Sequence, residues 1–558
     1  MKVRSDILRI YQSIHIWTGI ITGLVLFIGF YAGSLTMFKS AIDRWIAPPN
    51  QVLAPISQDK TQQLVDTVLH NMPTSQQGFT LFLNAKELNQ SPLIWYDKPQ
   101  DRELSLNTTQ WHATLNEQDK LVTQQVTPSA LAELIDMLHR TAGIPGMAGH
   151  EQVGVLVLGV AAVLYFIALV SGIIFLLPTL TKTFLALRKG KSTSRFWLDS
   201  HNILGLTSLP FHIVISVTVV VFAFHDVLYG GLQAIVYDDK PLFTRPESTL
   251  SAPATIDNLL TVEELLEKAK AIAPEFTVTN MVFSNLQGQW PSVRLGVYNP
   301  EHIMRGPITD YLFFNPYSGI LLNSTLQPGS EGIWNRIVAS FFALHFGSYG
   351  GDLVRWLYFF LGLGGAFLFY SGNLLWLEKR RVKLKKDRPA QPQSASCYSI
   401  ASATVGICIG SIAAVLFTMV IGKWLYLHVS NINHYYYPLY YSIFISLVCW
   451  AFWRGAARSA IELLYLTAIA AFAIPVTSVI AWFDIFPIWS SQSMATLGVD
   501  MTALIAGVIM LLLAQKAKFR ALNGAPDSVW SFQSYQVRLA SKKIQVKLDD
   551  SEDKVISG

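Results

Sequence analysis

Eight runs of about 20 apolar residues, each the length a helix needs to cross a bilayer, constrain this chain more than any other feature. They lie near 14–38, 152–178, 202–225, 352–377, 399–421, 436–453, 460–483 and 497–515. With 51% hydrophobic and 14% charged residues the chain departs from soluble-domain averages in the same direction, toward a polytopic, mainly α membrane protein. The first run is too long for a signal-peptide core and continues into Lys39 and Arg44 without a small-residue cleavage site, so it reads as a retained helix.

Every second connection between runs is basic. Lys2, Arg4 and Arg9 precede the first; Lys182, Arg188, Lys189, Lys191 and Arg195 follow the second; Lys379 to Arg388 follow the fourth. Arg454, Arg458 and the tail Lys516, Lys518 and Arg520 continue the alternation. The positive-inside bias then predicts cytoplasmic N- and C-termini. It also accounts for the net charge of +5, leaving no reason to invoke nucleic acid. Cys397, Cys408 and Cys449 form no CxxC pair and read as small buried residues, not a disulfide or thiolate site.

This topology predicts two outer segments, 39–138 and 226–344. In the second, Thr261–Ile272 reads as a helix with Glu263 and Glu264 in its first turn, followed by strand-like runs at 277–283, 292–298 and 310–315 and a turn at Asn315-Pro316-Tyr317-Ser318-Gly319. The first segment reads as a looser version, with a helix at 61–71 and strands at 79–84 and 92–96. Small α/β domains are expected on that face.

The first four runs contain an internal repeat. His15-Ile16-Trp17-Thr18-Gly19 opens the first span and His201-Asn202-Ile203-Leu204-Gly205 the third, both H-x-x-x-G; Leu138-His139 precedes the second span and Leu344-His345 the fourth. His15 and His201 share the inner boundary, His139 and His345 the outer one. An ionisable residue facing a bundle interior needs a partner, and heme iron takes two imidazoles from facing helices. Gly19 and Gly205, one turn from each inner histidine, leave room for a flat macrocycle. A lone interfacial histidine is more often a hydrogen-bonded boundary residue; the fourfold, depth-matched set favours ligation. His212 stays open between an outer-layer ligand and a buried histidine bonded to a carbonyl. On a straight helix it lies about 20° off the face of His201 and roughly 16 Å deeper. His225 falls on another face, and His70, His112, His150, His302, His428 and His434 read as loop or surface residues.

These residues resemble the PepSY-associated transmembrane proteins, which include bacterial inner-membrane ferric-siderophore reductases and iron-uptake proteins. The resemblance spans about residues 5 to 385. It rests on the His15 and His201 helix starts, on Leu138-His139-Arg140-Thr141, and on Leu344-His345-Phe346-Gly347-Ser348-Tyr349-Gly350-Gly351 leading through Arg355. Thr261 to Leu322 looks like a PepSY domain and the first outer segment like a diverged copy. The resemblance implies b-type heme, two by the histidine count, and electron transfer from the cytoplasmic side to a ferric siderophore or other periplasmic ferric complex. Axial ligation would fall to His15, His201, His139 and His345; by their depth Arg9, Arg140 or Arg355 read either as propionate partners or as headgroup contacts.

The donor would be a quinol or a cytoplasmic reductase. Gly362-Leu363-Gly364-Gly365 lies inside a span and follows no soluble strand, so it is no nucleotide loop. The four helices after residue 398 extend beyond the family unit and would stabilise the bundle, bind quinol or dock a donor. Two other classes compete: a non-redox PepSY protein that binds or regulates a periplasmic partner, and a transporter. Transport usually brings broken midplane helices, and Pro210 is the only proline well inside the first four spans.

Overall fold

The computed structural model describes residues 4–48, 53–83, 91–96, 109–149, 151–180, 187–188, 193–236, 255–306, 309–326, 333–381, 392–486, 488 and 496–534. Lys182, Lys189, Lys191, His150, the basic residues Lys383 to Arg388 and the end of the tail lie outside them.

Among the described residues six helical stretches are long and apolar enough to span a membrane. They are α1 (Ser5–Thr36), the stretch Val153–Thr179 that contains α5 (Val153–Leu176), α11 (Gly351–Lys379), Ala395–His428, α15 (Ala456–Trp482) and α16 (Leu497–Asn523). A seventh span is broken, because α6 (Thr193–Thr207) and α7 (Leu209–Ala223) meet at 69° across Ser208. Pro210 stands at the start of α7, where its missing N–H removes a bond that would carry α6 straight on. The eighth expected span is α14 (Asn433–Arg454), 22 residues and so about 33 Å long, and more polar at its start than the other six. Asn433, His434, Tyr435, Tyr436, Tyr437 and Pro438 dilute its apolar run.

The two extramembrane segments do not form separate domains. Each contributes a helix, α3 (Thr61–Asn71) or α9 (Val262–Ile272), and a four-stranded meander: β1 (Gly78–Phe82), β2 (Leu93–Tyr96), β3 (Gln110–Leu115) and β4 (Leu121–Val126), or β7 (Thr277–Ser284), β8 (Ser292–Tyr298), β9 (Asp310–Phe314) and β10 (Leu321–Ser324). Edge strands β1 and β7 pair antiparallel, fusing the meanders into one eight-stranded sheet in the order β10-β9-β8-β7-β1-β2-β3-β4. Phe79 sits opposite Phe283, their rings stacked at 4.4 Å. Pairing the two inner edges removes what would otherwise be two open templates for aggregation. Leu64, Val65 and Val68 of α3 and Val262, Leu265 and Ala269 of α9 close one continuous core over the sheet with Leu81, Trp95, Met281 and Leu295. A capping box between Thr261 and Glu264 fixes the start of α9.

Each half then returns through a short helix, α4 (Leu131–Thr141) or α10 (Ile333–Phe346), that carries the Leu-His pair. His139 and His345 therefore stand on separate helices and not on the spans that follow. Positive-φ residues make the turns: Ala142 and Gly143 after α4, and Gly347, Gly350 and Gly351 after α10. The hairpin β5 (Met147–Ala148) and β6 (Glu151–Gln152) leads into α5, and α8 (His225–Val236) continues from α7 on the sheet-bearing face.

The later helices grip the first half. Asn433 donates to the Pro128 carbonyl and accepts from the Ala130 N–H, and the Tyr436 and Ser129 hydroxyls bond at 2.6 Å. Tyr441 donates to the Gly143 carbonyl. The buried Lys423 ammonium, on α13 (Gly410–Leu425), donates to the Trp45 carbonyl at 2.8 Å, and the Trp45 indole donates to Asp500. Trp45 lies on α2 (Lys39–Ile46), so both short helices beneath the sheet are tied to the second half.

Candidate functional site

Four of the five histidines singled out by the sequence come together as two pairs. His15 of α1 faces His201 of α6 with ring centroids 6.3 Å apart, and His139 of α4 faces His345 of α10 at 6.1 Å. The first pair lies near the chain-terminal end of α1. The second lies against its sheet-side end, where His139 bonds to Gly29. Fourteen residues separate His15 from Gly29, about 21 Å along the helix.

All four rings are anchored through Nδ1. His15 Nδ1 donates to the Ala168 carbonyl and His139 Nδ1 to the Gly29 carbonyl, each at 2.8 Å. A carbonyl can only accept, so these nitrogens carry the proton. His201 Nδ1 lies 3.0 Å from the Ser371 hydroxyl, which donates onward to the Leu368 carbonyl. His345 Nδ1 lies 2.8 Å from the Thr218 hydroxyl, which donates to the Val214 carbonyl. With its own proton committed, each hydroxyl accepts from the imidazole. Every ring is thus the Nδ1–H tautomer, with its Nε2 lone pair unprotonated, and among the described residues no group is bonded to any of the four Nε2 atoms. This outer-partner arrangement is what orients imidazole toward a metal.

A metal tests the spacing. With metal–imidazole bonds of about 2.0–2.1 Å and a ring centroid roughly 1.1 Å behind the nitrogen, two imidazoles across one ion have centroids about 6.2–6.4 Å apart. Both pairs match within about 0.1 Å. Beside the His15 and His201 pair two glycines leave open space. A Cβ on Gly19 would meet nothing within 4 Å, and one on Gly205 only Leu368 at 3.8 Å. Other glycines hold the rings close: a Cβ on Gly33 would lie 2.6 Å from His139 Nδ1, and one on Gly172 2.9 Å from His15 Nδ1. At the sheet-side pair, outside the spans, burial first and neighbouring His139 second push the His345 pKa down to about 3, so the ring is neutral, as a ligand must be.

His212 joins neither pair. Its ring is wholly buried among Phe30, Tyr165 and Phe211, and neither of its nitrogens has a hydrogen-bond partner, nor has the Tyr165 hydroxyl beside it. The register that related it to His201 required a straight helix, and the 69° break at Ser208 removes it. The three arginines considered for propionates have other partners. Arg9 donates to the Ser5 carbonyl, Arg140 pairs with Asp136 at 3.5 Å, and Arg355 donates to the Met37 carbonyl and to Asp352. Arg9 does line a shallow recess with Gln12, Trp17 and Arg380, next to His15 in sequence.

Reading the histidines alone missed their supports. Ser371 and Thr218 bond to the rings and Gly33 and Gly172 lie close against them, and one signal for these supports was present. Ser171-Gly172 in α5 recurs as Ser371-Gly372 in α11, a second element of the internal repeat. No curated protein is similar enough to this chain to match it. The sequence model of the PepSY-associated TM region matches residues 12–379, a stretch that holds every histidine above. Spanning well over half of the chain, that match makes this multi-pass membrane protein a member of the PepSY-associated transmembrane family.

Proposed function

We propose that this chain is a reductase of the bacterial inner membrane that holds two b-type hemes, one per histidine pair, and moves single electrons from the cytoplasmic face to a ferric acceptor at the sheet-bearing face. A ferric siderophore is the acceptor the family resemblance favours, and a quinol or a cytoplasmic reductase the donor. The observation that carries the reading is the pair of facing imidazoles at each end of α1, all four anchored through Nδ1.

Heme held by these residues would supply one-electron chemistry. The residues of the chain make that chemistry selective. His15 and His201 supply Nε2 donors at the terminal-side level, and His139 and His345 at the sheet-side level. Ala168 and Gly29 carbonyls and Ser371 and Thr218 hydroxyls hold those donors in one tautomer and strengthen them as bases. Between the levels Phe30, Tyr165 and Phe369 fill the core with aromatic rings 5.0–5.8 Å apart and keep it apolar. The sheet stands where an acceptor outside the membrane would be met.

Purified protein is expected to give a reduced-minus-oxidised b-type spectrum with two hemes per chain. His201→Ala should lose one and His345→Ala the other, each leaving about half of the heme. A colourless preparation that takes up no added hemin would refute the reading.

A further inference from the structure

A third cluster of ligating side chains lies on the sheet-bearing face. Glu151 opens the second strand of the β5–β6 hairpin, while His225 and Asp226 open α8, and one ligand atom from each lies within 4.8 Å of the others. The cluster joins the two copies of the repeat, since the hairpin belongs to the first return and α8 to the second outward crossing. Glu151 is partly exposed, and the side chains of His225 and Asp226 are 43% and 65% exposed, so an ion could reach them.

The hydrogen bonding turns one donor atom of His225 toward the carboxylates. His225 Nδ1 donates to the Phe222 carbonyl at 2.8 Å, so a neutral ring presents only a lone pair at Nε2. That lone pair faces the Asp226 carboxylate at 3.2 Å. Two acceptors at that distance repel unless a positive charge lies between them: a second ring proton or a metal ion. Glu151, from a different element, adds a third oxygen donor to the same space. One imidazole and two carboxylates suit first-row transition ions, and three protein ligands leave about three positions of a six-coordinate ion open.

We propose that Glu151, His225 and Asp226 bind a transition-metal cation, and that a ferric ion is received there from a carrier that leaves coordination positions free. The Phe222 ring lies 5.0 Å from that of His345, so the residue whose carbonyl orients His225 also touches the sheet-side pair. Heme held by His139 and His345 would supply the one electron, and the ferric ion would leave as ferrous iron, with no bond to carbon made or broken. The binding site stands on its own geometry; its role as the acceptor site rests on the reductase reading.

Zn(II) titration of the purified full-length chain against a chromogenic chelator tests the site without any redox readout. Wild type should take up one more Zn(II) than His225→Ala, and Glu151→Gln and Asp226→Asn should each weaken that uptake about tenfold or more. Equal uptake by all four proteins overturns the site. Far-UV circular dichroism of each variant excludes misfolding as the cause of a loss. The acceptor role is tested by reoxidation of chemically reduced protein. Fe(III)–nitrilotriacetate, which leaves iron positions free, should reoxidise Asp226→Asn about tenfold more slowly than wild type. A ferric chelate with a filled coordination shell should act on both equally. A Zn(II) site whose loss slows neither chelate overturns the acceptor role alone. Colourless protein defeats the reductase reading and with it the acceptor role, while the titration still decides the site.

Discussion

The two copies of the repeat place their histidines alike and hold them differently. In the first copy His15 and His139 donate straight to backbone carbonyls, and glycines Gly172 and Gly33 let the neighbouring helices close on the rings. In the second, His201 and His345 donate to Ser371 and Thr218, each hydroxyl relaying the bond to a carbonyl three or four residues back. Ala168 and Leu368 occupy matching places, three residues before Ser171 and Ser371, so the serine hydroxyl of the second copy is an insertion into a bond that the first copy makes directly. Each pair therefore combines one ring fixed by backbone and one fixed by a side chain. Backbone acceptors cannot be removed by substitution, whereas hydroxyls can be changed without moving a helix, and the second copy is where the basicity of a ring at each level is open to tuning.

Steric substitutions in the first copy should break this comparison most. Gly33→Val would drive side-chain atoms into His139, an overpacking cost of about 1–3 kcal/mol that the helices can relieve only by parting. Heme at the sheet-side pair should be lost while the terminal-side heme stays; Gly172→Val should do the reverse. Quantifying heme per chain in both variants checks this, and equal loss from both levels would show that the pairs are not independent. Removing a relay should do less. Thr218→Val and Ser371→Ala should retain both hemes but loosen one each, lowering its affinity about 10- to 100-fold. Hemin competition titrations read that change, and an unchanged affinity in both would mean that the hydroxyls are passive.

The smallest effect on the pairs concerns Asp43 of α2, the helix beneath α4. Burial, the largest influence, raises its pKa to about 7, opposed by Lys39 and Arg44 and aided by Glu133. Its folded pKa lies above the unfolded value, so the native state holds the extra proton, and the stability this brings is present below about pH 4 and lost as pH rises through 7. Asp43→Asn should flatten the fall in thermal stability between pH 4 and 7 without changing heme content. A fall as steep as that of wild type would assign the titration to another group.

Much of this architecture was legible because membrane physics writes in long runs. Apolar stretches located the spanning helices, and the spacing of His15, His139, His201 and His345 located both pairs. Four things were not. The apolar residues of α14 made it look like an ordinary span, although Tyr436 and Tyr441 use their hydroxyls to grip Ser129 and Gly143. The break at Ser208 had one cue, Pro210, and proline inside a membrane helix more often kinks than snaps it. Ser371 and Thr218 were hidden because hydroxyls in apolar helices commonly bond to their own preceding turn, as both also do here. The seam between β1 and β7 left no trace in either segment, since a strand records which face is buried and not which edge it meets.

That seam also dictates an order of events in time. Phe79 and its partner Phe283 stand about 200 residues apart in the chain, so at a synthesis rate of roughly 5–20 residues per second β1 waits about 10–40 s for β7 to emerge. During that interval α5 and the broken span of α6 and α7 must both be inserted, and the first meander stands with its inner edge bare. A newborn chain is thus most exposed to wrong pairing, with another copy or within a crowded compartment, after its second helix enters the bilayer and before its third has delivered the strand that closes the sheet.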